Sequence, residues 1–178
     1  AMVTINAQVD EQRLVVTDGG RFMRQPWKWL DVTDPRHFIS GVKFGSIGMG
    51  MGYAVGAAVA KPDWPTVLVV GDGGFMLGGL AEFNTAVRHG LDLIVVLCND
   101  RGYGAEYVQF VDRGMEPGLA LFEWPSFAEY ARAMGGQGFS LETRADLPAA
   151  LQFLRERDRS RPCLMDVKLD PVTMPPTY

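Results

Sequence analysis

Uninterrupted apolar runs of strand length alternate along this chain with longer stretches in which apolar residues recur at helical spacing. The clearest runs are Leu14-Val15-Val16, Val67-Leu68-Val69-Val70 and Leu93-Ile94-Val95-Val96-Leu97-Cys98. Continuous rather than alternating hydrophobicity marks strands covered on both faces, the usual condition of a parallel sheet. The pattern predicts strands at 13–17, 37–39, 66–70, 93–98, 138–141 and 163–169, and helices at 48–60, 79–89, 125–134 and 145–157. An aromatic, proline-interrupted stretch around Trp27, Trp29 and Pro35 reads as irregular or as one short helix. Strand–helix alternation of this kind predicts an α/β fold: a doubly wound, mostly parallel sheet of about six strands with helices on both faces. Gly90 and Gly135-Gly136 are placed to end helices, and Asp146 to support the start of one.

Gly48, Gly52, Gly56 and Ala60 recur every four residues, which puts small side chains on one helix face where a backbone or a ligand can approach closely. The segment is too short for a membrane dimer face, and Lys61-Pro62-Asp63 ends it. Residues 171–178 read as a proline-rich tail, and 109–124 as a mobile segment.

Polar clusters follow two of the buried runs directly. Val70 leads into Gly71-Asp72-Gly73-Gly74, and Cys98 into Asn99-Asp100-Arg101-Gly102-Tyr103-Gly104. Both clusters therefore belong at carboxyl ends of parallel strands, where open α/β sheets bind ligands. Mg²⁺ binds through one or two carboxylates plus substrate phosphates, so an Asp on one strand end and an Asn or Asp on the next suit a metal–diphosphate pair. Gly73, Gly74 and Gly102 let the backbone turn sharply and aim N–H groups at phosphate oxygens, and a helix starting just after Gly74 would add its positive end. Asp72 has the ordinary alternative of capping that helix, but the flanking glycines and Asn99-Asp100 on the next strand end favour metal ligation. Asp18-Gly19-Gly20, ending the first strand, is a further turn able to bring amides to a ligand.

These two blocks, in this order, resemble the thiamine-diphosphate signature of the acetolactate synthase, pyruvate decarboxylase and benzaldehyde lyase group. Gly45-Ser46-Ile47-Gly48 followed by Gly52-Tyr53-Ala54-Val55-Gly56-Ala57-Ala58 resembles the same group's cofactor-binding turn and helix. The resemblance implies thiamine diphosphate with Mg²⁺, or Ca²⁺ as a substitute. Its implied metal ligands are Asp72, Asp100 and the backbone carbonyl of Gly102. Asn99 is the alternative to Asp100: counting back from Tyr103 and from Gly90 favours Asp100, where the family usually has Asn. The interval from Asp72 is one residue longer than the family pattern, with the extra residue falling in 76–79. The implied cofactor-binding residues are Asp18, Gly19, Gly20, Gly45, Ser46, Ile47, Gly71, Gly73, Gly74, Gly102, Tyr103 and Gly104. In this reading Ile47, otherwise one more core residue, is the apolar wedge that bends the cofactor. Bending makes proton removal intramolecular. Gly45 offers its carbonyl to the pyrimidine amino group, Met49 lines the pocket, and Glu106 and Tyr107 face the substrate. Glu82, His37 and His89 are read as structural or surface residues.

The implied activity is decarboxylation of a 2-keto acid, ligation of the resulting enamine to a carbonyl compound, or both. No residue of this chain is expected to be catalytic in itself, because the activating glutamate of such enzymes lies on a pyrimidine-binding domain, usually on a partner subunit of a homodimer or homotetramer. The chain is expected to be one thiamine-diphosphate-binding domain, 1–178, from the C-terminal part of a larger enzyme; Ala1-Met2 suggests an excised piece. Alone it is expected to fold and bind cofactor weakly without turnover. Two alternatives are the separate diphosphate-binding subunit of a sulfopyruvate-type decarboxylase and a nonenzymatic nucleotide-binding module. The second lacks a G-x-G-x-x-G after a strand, and no P-loop motif is present.

Composition adds exclusions. Of 178 residues, 47% are hydrophobic, enough for one substantial core. A formal charge of -4 and the lack of a basic run argue against a nucleic-acid partner. Apolar runs fall well short of the roughly 20 residues that span a membrane. With no signal peptide visible, a cytoplasmic setting is expected. Cys98 and Cys163, both in apolar strands, read as buried reduced thiols.

Overall fold

A computed structural model describes residues 2–41 and 43–172. The proline-rich tail expected at 171–178 lies outside the described residues from 173 onward. Six strands form one sheet in the order β2-β1-β3-β4-β6-β5: β1 Leu14–Thr17, β2 Phe38–Ser40, β3 Thr66–Gly71, β4 Leu93–Asn99, β5 Gln137–Leu141 and β6 Cys163–Lys168. Every pairing is parallel, so the sheet is fully rather than mostly parallel. β1, β3, β4 and β6 are its central members, which explains their continuous apolar runs.

Successive residues on these strands enter two different cores. Val15, Val67, Val69, Ile94, Val96, Cys163 and Met165 pack on one face with Ile5 of α1 (Met2–Gln8) and Leu154 of α8 (Leu147–Glu156). Leu14, Val16, Leu68, Val70, Val95 and Leu97 pack on the other with Met51 and Ala54 of α3 (Gly50–Ala60), Phe83 of α5 (Leu80–Arg88) and Phe127 of α7 (Phe127–Ala133). Each such fully buried large side chain contributes roughly 1.5–3 kcal/mol. The chain leaves β1 outward to β2 and then crosses back over β1 to reach β3. Connections therefore diverge beside β1, the place where doubly wound sheets open a crevice at their carboxyl ends.

Several elements differ from those the sequence pattern predicts. The helix expected at 79–89 is α5, and a separate helix, α4 (Asp72–Gly78), precedes it with Gly79 at the joint. α4 starts at Asp72 itself, not after Gly74. The aromatic stretch holds α2 (Arg24–Trp29) and a 3₁₀ turn at Pro35–His37. Helices α1 and α6 (Gly104–Asp112) were not expected. Gly52 and Gly56 have no atom within 4 Å of where a Cβ would stand. The small-residue face of α3 thus points away from this chain, because Met51, Ala54 and Ala58 take the buried side. Gly50, outside the predicted stripe, makes the close approach: a Cβ there would meet Asp18 Cβ at 2.8 Å.

Gly90 (φ 60) and Gly135 (φ 92) end α5 and α7 as expected, and a Thr143–Asp146 capping box precedes α8. Cys98 and Cys163 are free and buried, and burial pushes both thiols up to about 12. No helix among the described residues is long and apolar enough to cross a membrane.

Candidate functional site

Strands β1, β3 and β4 are parallel neighbours, so the residues that follow each of them meet at one end of the sheet. A cleft of about 1120 Å³ opens there. Gly19, Gly20, Gly45, Ser46, Ile47, Gly71, Asp72, Gly73, Gly74, Asp100, Gly102, Tyr103, Gly104 and Glu106 all line it. Four segments remote in sequence are thereby brought together. Asp18, Asn99, Met49 and Tyr107 are not among its lining residues.

The Asp72 carboxylate heads α4 at the end of β3 and is 1% exposed. Its Oδ2 accepts from the Gly102 amide at 2.9 Å and from Trp124 Nε1 at 2.7 Å. Burial, reinforced by the charge of Asp100, raises the Asp72 carboxyl to about 7 despite those donors. Asp100 lies within hydrogen-bonding reach of Asp72, and its carboxyl is raised as well. Burial outweighs the pull of Arg21, whose Nη2 stands 2.9 Å from Asp100 Oδ2. Two carboxyls held together in a poorly solvated cleft favour protonation of the pair.

Asn99, directly before Asp100, turns elsewhere. Its Nδ2 donates to buried Asp166 at 2.8 Å, and its Oδ1 accepts from the Arg101 amide at 3.2 Å. Arg101 adopts φ 61, a left-handed conformation that costs a non-glycine residue about 1 kcal/mol or more and that aims the following amide, Gly102, at Asp72. Asn99 therefore shapes the turn, while Asp100 presents its carboxyl beside Asp72.

Glycine is sterically required at several lining positions. A Cβ on Gly73 would stand 2.6 Å from the Tyr103 ring, and one on Gly102 would stand 2.2 Å from the Ala120 carbonyl oxygen. Asp18 is fully buried beneath the cleft floor, where its carboxylate accepts from the amides of Gly48 (2.7 Å) and Gly19 (2.9 Å). Burial raises this carboxyl too, against further backbone donors from Gly50 and Met49. Asp18 thus ties the end of β1 to the turn that carries Ile47 and to the start of α3.

Three contributors were not foreseen from sequence. Arg21 carries a signal in hindsight, a lone cation directly after Gly19-Gly20 at a strand end. Lys168, at the end of β6, lines the cleft and pairs with Asp166 at 2.7 Å. Trp124 has no local signal, since it reaches Asp72 across 52 positions. The segment expected to be mobile, 109–124, is instead tied to the site. Tyr103 N donates to Ala120 O at 2.9 Å, Phe122 N to Arg101 O at 2.8 Å, and Phe122 stacks on Trp124 at 4.7 Å. These backbone pairs form an antiparallel bridge, Gly102 to Leu121, that no periodicity announces.

Comparison with known proteins decides the family. The profile of "Thiamine pyrophosphate enzyme, C-terminal TPP binding domain" matches residues 18–167. The chain belongs to this family. It is a C-terminal thiamine-diphosphate-binding domain of the acetolactate-synthase-like enzymes. An acetolactate synthase large subunit of Mycobacterium tuberculosis is 31% identical over 172 residues, covering 93% of this chain and 30% of that protein. Sulfoacetaldehyde acetyltransferase of Alcaligenes xylosoxydans xylosoxydans is 33% identical over 142 residues, 78% of this chain and 23% of that one. A thiamine diphosphate-dependent 4-hydroxybenzoylformate decarboxylase of Rhodococcus jostii RHA1 shares the fold, with a TM-score of 0.80 at 22% identity over 95% of this chain and 32% of that one. The chain thus spans about a third or less of the length of these relatives.

Among the described residues no cluster of three or more His, Cys, Asp or Glu is found. The donor set still suits a hard divalent cation. Mg²⁺ takes only one or two carboxylates from protein and completes its shell with backbone oxygen, phosphate and water.

Proposed function

We propose that this domain holds a divalent cation, Mg²⁺ or Ca²⁺, between Asp72 and Asp100, and through it the diphosphate of thiamine diphosphate. The observation that carries this reading is the meeting of two buried carboxyls from neighbouring strand ends inside a glycine-lined cleft. The backbone carbonyl of Gly102 is the proposed third protein ligand. Asn99 is the less suited candidate, because its oxygen already accepts from Arg101.

The remaining residues fix position and exclude water. Gly73, Gly74 and Gly104 allow close approach of backbone, and Tyr103 walls the diphosphate. Asp18 holds the 45–48 turn so that Ile47 enters the cleft as an apolar wedge. When bound, thiamine diphosphate would supply a nucleophilic carbon and an electron sink for the loss of carbon dioxide from a 2-keto acid and for transfer of the remaining fragment to a carbonyl acceptor. This chain orients that cofactor, and Glu106 faces the substrate side.

The activating glutamate and the rest of the substrate pocket come, in this proposal, from a pyrimidine-binding domain of the same enzyme or a partner subunit. Exposed apolar residues beside the cleft support such a cover. Phe44 is 99% exposed next to Gly45, and Leu77, packed under Gly48, is 61% exposed.

Ligand titration tests the reading. Thiamine diphosphate with Mg²⁺ is expected to quench Trp124 emission saturably, while ATP with Mg²⁺, NAD, and thiamine diphosphate with chelator are not. Equal response to ATP or NAD contradicts it.

A further inference from the structure

We propose that Arg21 is the counter-charge of the cation site, engaging Asp100 until a diphosphate arrives, so that cation and diphosphate load together rather than in turn. This inference rests on the reading of the site given above and adds the order of assembly and the residue that enforces it.

Both side chains at the paired strand ends, Asp72 and Asp100, are carboxylates. Two adjacent carboxylates, 1% and 8% exposed, would attract a bare divalent cation with no diphosphate present. Arg21 cancels one of them. Its Nη2 lies 2.9 Å from Asp100 Oδ2, with both side chains 10% exposed.

Geometry makes this pair a built feature rather than a passing surface contact. The guanidinium also donates to the carbonyls of Pro171 at 2.8 Å and Asp170 at 3.0 Å, so the ends of β1, β4 and β6 converge on it. The start of α6 is pressed against the pair. A Cβ on Gly104 would stand 2.2 Å from Asp100 Oδ2 and 3.0 Å from Arg21 Nε. Only glycine leaves room for the two to meet.

Arg21 also lines the same cleft as Gly73, Gly74 and Tyr103. A guanidinium is a fork of N–H donors suited equally to carboxylate and to phosphate oxygens. A diphosphate entering the cleft therefore offers Arg21 a replacement anion, and Asp100 turns from the guanidinium to the cation. A cation arriving alone has to compete with Arg21 for Asp100. Binding of either ligand then favours the other by the same factor, as linkage requires.

The test uses Mn²⁺ and inorganic pyrophosphate as probes, with bound Mn²⁺ read by electron paramagnetic resonance. The wild-type chain is expected to bind bare Mn²⁺ weakly and to gain affinity when pyrophosphate is added. Arg21→Gln is expected to tighten bare Mn²⁺ by about 10-fold or more, since a buried positive charge a few ångströms away is removed. It should shrink the pyrophosphate-dependent gain correspondingly. Arg21→Gln/Asp100→Asn, which removes both charges, is expected to return bare Mn²⁺ binding to the weak wild-type range and to restore the melting temperature lost in the single variant. Unchanged or weaker bare Mn²⁺ binding by a folded Arg21→Gln chain overturns the inference. So does failure of the double variant to fold, because Arg21 would then matter for more than its charge; folding of the double where the single does not fold supports the pairing. A wild-type chain that binds no Mn²⁺ even with pyrophosphate or thiamine diphosphate would instead overturn the underlying reading of the site.

Discussion

Replacing Asp72 by asparagine is expected to abolish cation-dependent binding of thiamine diphosphate while making the ligand-free chain more stable at neutral pH. Asp72 is the proposed ligand that faces both the second carboxyl and the Gly102 turn, and an amide oxygen carries no charge for the cation. The loss of affinity should exceed the roughly 10–100-fold that partners outside the ligand shell cost. Calorimetric titration of Mg²⁺ and thiamine diphosphate reads it directly. Stability should move the other way, with a sign fixed by linkage. The folded chain holds the Asp72 carboxyl at about 7, above an unfolded value of about 3.9. Its contribution is therefore fully present below about pH 4 and is lost as pH rises through about 7. Thermal melts of the ligand-free wild type should fall over that window more steeply than those of Asp72→Asn. A variant that melts lower than wild type at pH 8, or that still binds the cofactor with cation, contradicts the assignment.

Gly78→Ala is expected to cost stability and cofactor affinity together, although residue 78 touches no ligand. A Cβ there would stand 2.2 Å from the Gly48 carbonyl oxygen and 3.1 Å from its carbon. Backbone cannot swing aside as a flexible side chain does, so the end of α4 and the turn carrying Ile47 must separate. Overpacking of this kind costs about 1–3 kcal/mol or more, which lowers Tm by several degrees in a chain of this size. Displacing Ile47 and the Asp18–Gly48 hydrogen bond should weaken thiamine diphosphate binding in a way that excess Mg²⁺ does not restore. Gly52→Ala is the control. Open space surrounds that position on α3, so relief of glycine's helix penalty should raise stability by about 0.5–1 kcal/mol with binding unchanged. Unchanged cofactor affinity in a destabilised Gly78→Ala chain would remove α4 from the support of the wedge.

What the sequence made legible follows from the range of the interactions involved. The parallel sheet was readable because Val67-Leu68-Val69-Val70 and Leu93-Ile94-Val95-Val96-Leu97 are buried on both faces, a local property of each strand. The glycine-rich strand ends were readable because a turn and a close approach demand glycine whatever the rest of the chain does. Helix α6 was not, since it starts inside the glycine-rich cluster and buries none of its residues. The full extent of α4 was not readable, because glycines at 73, 74 and 78 weaken its helical signal. The Trp124–Asp72 and Arg21–Asp100 contacts arise from tertiary meeting of distant segments, and no pattern within either segment encodes them. Spacing favoured Asp100 over Asn99 but left both as candidates. Their different bonding partners in the folded chain, Asp166 and Arg101 for one and Arg21 for the other, support Asp100 as the proposed ligand.

Anomalous diffraction from crystals grown with Mn²⁺ and thiamine diphosphate tests the central claim most directly. A single manganese peak is expected roughly 2.0–2.3 Å from one carboxylate oxygen each of Asp72 and Asp100 and from a diphosphate oxygen. Thiamine diphosphate seated in the cleft with manganese elsewhere, or coordinated without Asp72, would contradict it.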